Sequence, residues 1–236
     1  MEAPLKVGID ETIRIMTTNC RRALVPHELV ILHLSTAAIV LDKPAGLLTV
    51  PGRGPDKADC LSSRVQTQYP DAMIVHRLDM ATSGVVAMGR GPDYQRELSM
   101  LFQQRLVEKR YVAVVDGRWT HAADGEIDLP IAADWPNRPK QKIDLIAGRP
   151  SLTRYRLLEV DTTNDSSRIE LSPVTGRTHQ LRIHLAVIGH PILGDELYGT
   201  PQARAKARRL MLHACFIEFA HPDSRETIRA TSAPPF

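Results

Sequence analysis

Along the chain, apolar positions gather in short runs separated by turn chemistry, and most of these runs predict strands. Residues 29–34 and 38–41 read as two such strands, the second closed by Lys43-Pro44-Ala45-Gly46. After a loop at 51–55, Asp59 is expected to cap a helix whose Leu61, Val65 and Tyr69 share one face and which Pro70 ends. A strand over 72–75, a polar loop from His76 to Gly84 and a strand over 85–88 follow. Pro92 opens a helix with Leu98, Leu101, Phe102 and Leu106 inward and Arg96, Gln103 and Gln104 outward. Period-two spacing then puts Tyr111, Ala113 and Val115 on one side of a strand over 109–116.

The stretch 125–150 holds four prolines and suits neither a helix nor a central strand, so an ordered loop or edge insertion is expected there. Strands are predicted near 152–160 and 168–172. A helix over 178–188 would bury Leu181, Leu185 and Ile188 and stop at Gly189. Thr200-Pro201 starts a short basic helix carrying Arg204, Lys206, Arg208 and Arg209, and strands over 210–219 and 227–229 close the chain. Many strands, few helices and no regular βαβ alternation predict an α+β fold with a mixed, largely antiparallel sheet. Residues 1–27 show no period and are expected to be an N-terminal extension of a main domain spanning 28–236.

Composition adds boundaries. Of 236 residues, 43% are hydrophobic and 24% charged, which is ordinary for a globular chain. The formal charge of +3 says little about a polyanionic partner, so the placement of basic residues matters more. Three cysteines without Cys-x-x-Cys spacing suggest neither a disulfide framework nor a thiolate metal site, and fit a reducing, cytoplasmic setting. The apolar run 29–32 is too short for a membrane span, and no export signal is read.

Three segments could carry chemistry. The loop His76-Arg77-Leu78-Asp79-Met80-Ala81-Thr82-Ser83-Gly84 places a carboxylate and an arginine between two apolar strands, where catalytic groups tend to sit. The same residues would also suit a polar turn with Asp79 accepting from the Thr82 and Ser83 amides and Arg77 solvated. In Gly176-Arg177-Thr178-His179-Gln180-Leu181-Arg182-Ile183-His184 the histidines are five apart with no Glu beside the first, so a zinc helix is not expected. Arg182 falls at the border of the buried stripe and can aim at a carboxylate across an interface, or snorkel to water. In Lys109-Arg110-Tyr111, the tyrosine could stack on a base or be an ordinary strand residue. Gly52 and Gly54 lack the spacing of a nucleotide phosphate loop.

His-Arg-Leu-Asp with Thr-Ser-Gly, Lys-x-Tyr-x-Ala-x-Val, Gly-Arg-Thr-His-Gln-Leu-Arg-x-His and His-Pro-Ile-Leu-Gly-Asp, with Asp42-Lys43-Pro44-Ala45-Gly46-Leu47 before them, together resemble the RluA family of pseudouridine synthases. The resemblance spans about residues 30–235. Segments 134–142 and 50–53 are similar to family members acting on both transfer RNA and large-subunit ribosomal RNA. The resemblance implies Asp79 as catalytic aspartate, Arg182 as its ion-pair partner, Tyr111 as the aromatic residue against the target base, and Arg77 as the arginine that helps displace it. It also implies a catalytic domain with an RNA cleft on one face of its sheet.

Isomerising uridine conserves atoms and electrons, so no cofactor and no metal are expected. A carboxylate near C1′ serves by attacking it, by stabilising positive charge, or by removing a sugar proton, and the sequence does not separate these routes. Arg105, Lys109, Arg110, Arg138, Lys140, Lys142 and Arg177, together with the run 204–209, are candidates for contacts with structured RNA. A monomer is expected. The alternatives are a family member acting on another RNA site, a non-catalytic RNA-binding or ribosome-assembly module, and a carboxylate-based nucleoside hydrolase.

Overall fold

The computed structural model describes residues 29–54 and 57–236, so the extension expected over 1–27 lies outside the described residues. The strands of the first part are β1 (Val30–Leu34), β2 (Ala38–Lys43), β3 (Ala72–Ile74), β4 (Ser83–Arg90) and β5 (Glu108–Asp116), with helices α1 (Leu61–Gln68) and α2 (Gly91–Gln103) between them. Beyond them come β6 (Asp124–Asp128), β7 (Ile131–Ala133), β8 (Gln141–Ile143), β9 (Leu152–Asp161) and β10 (Ser166–Pro173). The chain then forms α3 (Gln180–Val187), α4 (Pro201–Ala205), β11 (Leu212–Ala220) and β12 (Thr227–Thr231). One sheet runs in the order β1-β2-β4-β11-β5-β10-β9-β6, with β3 added to β4 and β12 to β11; β7 and β8 form a separate hairpin. The fold is α+β, as expected.

Side-chain alternation explains which faces are covered. On β2 and β4, Ala38, Val40, Val85 and Ala87 face a core completed by Leu98 of α2, while Ile39, Leu41, Val86 and Met88 face one completed by Leu61 and Val65 of α1. This half of the sheet is therefore buried on both sides. In the other half, Ala113, Val115, Ile169 and Leu171 pack under Leu181 and Leu185 of α3. The opposite side of β9 and β10 carries charged pairs such as Arg156 with Glu170, 2.9 Å apart. Tyr111 packs against both the α1 and α3 cores, as its shared face with Ala113 and Val115 predicted.

Among the described strands all pairings are antiparallel except one: β4 and β11 run parallel and touch through His213 with Ser83 and Ala214 with Gly84. Gly84 makes the contact feasible. Its φ is +109°, and a Cβ there would lie 2.1 Å from the Ala214 carbonyl oxygen, so only glycine fits. This junction, just after the His76–Gly84 loop, joins the two halves of the sheet.

Several expectations need correction. Cys60, not Asp59, caps α1: its extended backbone lets Sγ accept from the Ser63 amide, while Asp59 pairs with Arg64. Leu106 lies beyond the end of α2 and is exposed. The helix expected from Thr178 starts at Gln180, because His179 turns into the left-handed region. The proline-rich stretch supplies edge strand β6 and the β7–β8 hairpin, in keeping with an edge insertion.

Candidate active site

The His76–Gly84 loop is held mainly through its backbone. His76 stacks on Phe102 with ring centroids 4.4 Å apart, and its Nε2 accepts from the Ala87 amide at 2.9 Å. Burial, with help from Lys109, pushes this imidazole down to about 3, so it stays a neutral acceptor. Thr49 Oγ1 donates to the Leu78 carbonyl at 2.8 Å and accepts from its amide at 3.2 Å. The Met80 carbonyl takes the Gly46 amide at 2.8 Å and Lys43 Nζ at 3.2 Å. Lys43 is wholly buried and also donates to the Pro44 and Leu47 carbonyls at 2.9 and 2.7 Å, so its side chain ties the 44–47 turn to the loop. Burial pulls its ammonium down to about 7, opposed by the nearby Asp79 charge.

At the centre of this loop Asp79 keeps its carboxylate open. The Thr82 amide bonds to the backbone carbonyl of Asp79 at 3.1 Å, not to its side chain, so a self-capping polar turn is not formed. Oδ2 meets Arg182 Nη1 at 3.3 Å and lies 3.8 Å from His179 Nε2. Oδ1 takes no hydrogen bond from the protein among the described residues.

Arg182 comes from the other half of the sheet, and there the side chain itself is fixed. It is not at the border of a stripe: α3 is buried from Gln180 to Leu185, packed between the sheet and the β8 arm. Its Nε and Nη2 donate to the two oxygens of Asp195 at 2.8 and 2.6 Å. Oδ1 of Asp195 also accepts the amides of Leu197 and Tyr198 at 2.9 and 3.1 Å. Burial pushes the Asp195 carboxyl up, but the Arg182 hydrogen bonds and charge, aided by the two amides, leave it below the usual carboxylate value. Gly194 lets the chain pass close to the segment between α4 and β11, since a Cβ there would lie 2.0 Å from the Arg209 carbonyl oxygen.

A cavity of about 110 Å³ opens where the halves meet, with Asp79, Tyr111, Arg182 and His179 in its wall and Arg77, Lys109 and Arg177 also lining it. Burial, and then the Asp79 charge, push the Tyr111 phenol well above its ordinary value, so the hydroxyl stays protonated. Lys109 and Pro173 are shared with a wider groove of about 460 Å³ that Arg105 and Arg154 also line. The cavity can therefore hold a flat base against Tyr111 and a sugar against Asp79, with phosphate contacts running out along the groove.

The remaining predicted basic residues lie elsewhere. Arg110 stacks on Phe216 at 3.8 Å and pairs with Glu108 at 3.2 Å, away from the cavity. Arg138 stacks 3.4 Å over Trp135 in the turn of the β7–β8 hairpin, where Lys140 is exposed and Lys142 pairs with Asp144 at 3.1 Å. The run 204–209 is largely tied down: Arg204 pairs with Glu196, Lys206 with Asp116 at 2.6 Å, and Arg209 donates to Ser83 Oγ at 2.5 Å. His184 is structural, with its ring bonded to Thr153 Oγ1 and the Leu129 carbonyl. Among the described residues no three His, Cys, Asp or Glu side chains stand as a metal site, and no helix is long and apolar enough to cross a membrane.

Sequence reasoning missed Asp195, Tyr198 and Lys43. A signal existed for the first: Asp195 ends the run His190-Pro191-Ile192-Leu193-Gly194, and a carboxylate inside so apolar a stretch needs a cationic partner.

With this geometry in hand, the RNA pseudouridylate synthase family matches residues 37–187. The chain is similar to the dual-specificity RNA pseudouridine synthase RluA of Escherichia coli K12, 48% identical over 196 residues that cover 82% of this chain and 88% of that one. The RluA of Pasteurella multocida Pm70 is 43% identical over 208 residues, covering 87% and 93%. Among solved structures, human RNA pseudouridylate synthase domain containing 1 superposes with a TM-score of 0.75 at 27% identity, over 91% of this chain and 87% of that one.

Proposed function

Because the chain belongs to the RNA pseudouridylate synthase family and is an isomerase acting on RNA, we propose that Asp79 is the carboxylate acting at C1′ of the target uridine. In this reading the bond from C1′ to N1 breaks, the uracil turns against Tyr111, a bond from C1′ to C5 forms, the C5 proton leaves and N1 gains one. Arg182 orients the Asp79 carboxylate, and Tyr111 is the flat wall that retains the detached base. Its protonated hydroxyl suits hydrogen bonding to the uracil better than it suits removing the C5 proton. Arg77, at the mouth of the cavity, serves base displacement. Lys109, Arg177 and Arg105 contact phosphates along the groove, and Arg138, Lys140 and Lys142 contact RNA from the hairpin arm. The observation that carries the reading is the open carboxylate of Asp79, 3.3 Å from a buried arginine in one cavity with Tyr111.

We further infer two substrates, an anticodon stem-loop of transfer RNA and a stem-loop of 23S ribosomal RNA, modified by a monomer in the cytoplasm. The similarity to dual-specificity relatives supports this. Incubating the protein with both unmodified RNAs and mapping carbodiimide-dependent reverse-transcription stops should reveal pseudouridine in each. Pseudouridine in one alone would reduce the reading to single specificity, and its appearance only in an unrelated RNA would overturn the substrate assignment.

A further inference from the structure

Two hydrogen bonds and one longer polar contact run from the hairpin arm to the candidate catalytic carboxylate. At the start of β8 the Gln141 amide donates to Tyr198 Oη at 2.7 Å. Tyr198 Oη lies 2.8 Å from His179 Nδ1, and the other ring nitrogen, Nε2, lies 3.8 Å from Asp79 Oδ2. An amide can only donate, so it occupies a lone pair of the Tyr198 oxygen. The hydroxyl proton finds no other acceptor among the described residues and therefore points at His179 Nδ1. A neutral imidazole that accepts at Nδ1 carries its proton on Nε2, the nitrogen turned to Asp79.

Two further observations agree. Burial pushes the Tyr198 phenol up to about 12, so it remains a donor, and burial also lowers the His179 imidazole, against the pull of Asp79, so it remains neutral. His179 also sits at φ 55° and ψ 18°, a left-handed conformation uncommon for a residue with a side chain, held at the first position before α3. The strain is tolerated where the ring must reach between Tyr198 and Asp79.

We propose that His179 is a positioning residue, which the Gln141–Tyr198 hydrogen bonds lock with Nε2–H toward Asp79 Oδ2, so that Oδ1 is the oxygen presented to the sugar. The proposal rests on Asp79 being the catalytic carboxylate. The 3.8 Å separation is too long for a hydrogen bond and closes when RNA fills the cavity, as catalytic hydrogen bonds commonly tighten in the substrate complex. Because Gln141 lies between Lys140 and Lys142, the same chain links RNA held on the arm to the orientation of Asp79.

The test uses the full chain and a stem-loop substrate. His179→Asn suits the left-handed backbone and can still meet Tyr198, but cannot reach Asp79. Its single-turnover rate should fall about 10- to 100-fold with RNA affinity nearly unchanged. His179→Gln, which can extend an amide toward Asp79, should recover part of the loss. Tyr198→Phe should slow the reaction comparably, and the double variant should be no slower than either single one, because both act in one chain. Independently of any variant, 15N resonances of His179 in the wild type should show the Nε2–H tautomer, with mixing in Tyr198→Phe. Wild-type turnover by His179→Asn, a loss confined to RNA binding, or an Nδ1–H tautomer would overturn the proposal. Activity retained by Asp79→Asn would instead remove the reading on which it rests and leave the tautomer result standing.

Discussion

Two carboxylates, Asp79 and Asp195, touch the same arginine, and the protein treats them oppositely. Asp195 is wholly buried and accepts from Nε and Nη2 along one edge of the Arg182 guanidinium and from two amides. Asp79 is partly open and meets Arg182 through one longer contact, while its loop is clamped by Thr49, Gly46 and Lys43 acting on the backbone. In one region the side chain is saturated and the arginine cannot move. In the other the backbone is fixed and the side chain is left with free lone pairs. A cation held by a spectator carboxylate can orient a reactive one without consuming it.

The comparison is broken most directly at Asp79. Asp79→Asn should lower pseudouridine formation by about a thousandfold or more, as loss of a reacting group does, while leaving RNA affinity and thermal stability close to wild type. A rate assay with a melting curve checks both, and near-normal turnover would remove Asp79 from the mechanism. Asp195→Asn should show the reverse balance. Breaking a buried pair on one side costs about 3 kcal/mol or more, which lowers Tm by roughly 6–12 °C in a chain of this size. Arg182, no longer held, should let turnover fall about a hundredfold. If Asp195→Asn keeps wild-type stability, the spectator role is wrong.

The smallest effect concerns the clamp. Lys43 has a folded pKa of about 7 against 10.5 for the free side chain, so between those values the unfolded chain binds a proton that the folded chain does not. Stability contributed by this group should therefore rise with pH from about 7 toward 10.5, by at most about 1.4 kcal/mol per pH unit, and the full burial penalty should persist below 7. Denaturant unfolding of the wild type and Lys43→Met across that range measures the difference. Parallel pH dependences would show that Lys43 stays charged in its ring of carbonyls.

What could be read in the sequence was local. Turn residues and period-two spacing placed the His76–Gly84 loop between strands, put Tyr111 on the correct face with Ala113 and Val115, and marked 125–150 as an edge insertion. Arg182 was legible as a partner for a carboxylate but not as the ligand of Asp195, because that contact depends on how the 190–198 turn returns beneath α3. The burial of Lys43 was hidden for the same reason: its acceptors include Met80, 37 residues away. Local propensity also erred at Asp59, since which of two adjacent residues caps a helix depends on the backbone angles each adopts.

The position of β11 between β4 and β5 imposes an order of assembly. It is the central strand of the sheet, yet it comes after Asp79, Tyr111, Arg182 and Asp195 have all been synthesised. As the chain leaves the ribosome, every candidate catalytic group exists before the strand that brings Gly84 against Ala214 and joins the halves. Until then the loop bearing Asp79 and the helix bearing Arg182 belong to two separate pieces. Closing contacts so distant in sequence is slow relative to forming local ones. The insertion of one late strand is what sets Asp79 beside Tyr111 and Arg182 in a single cavity.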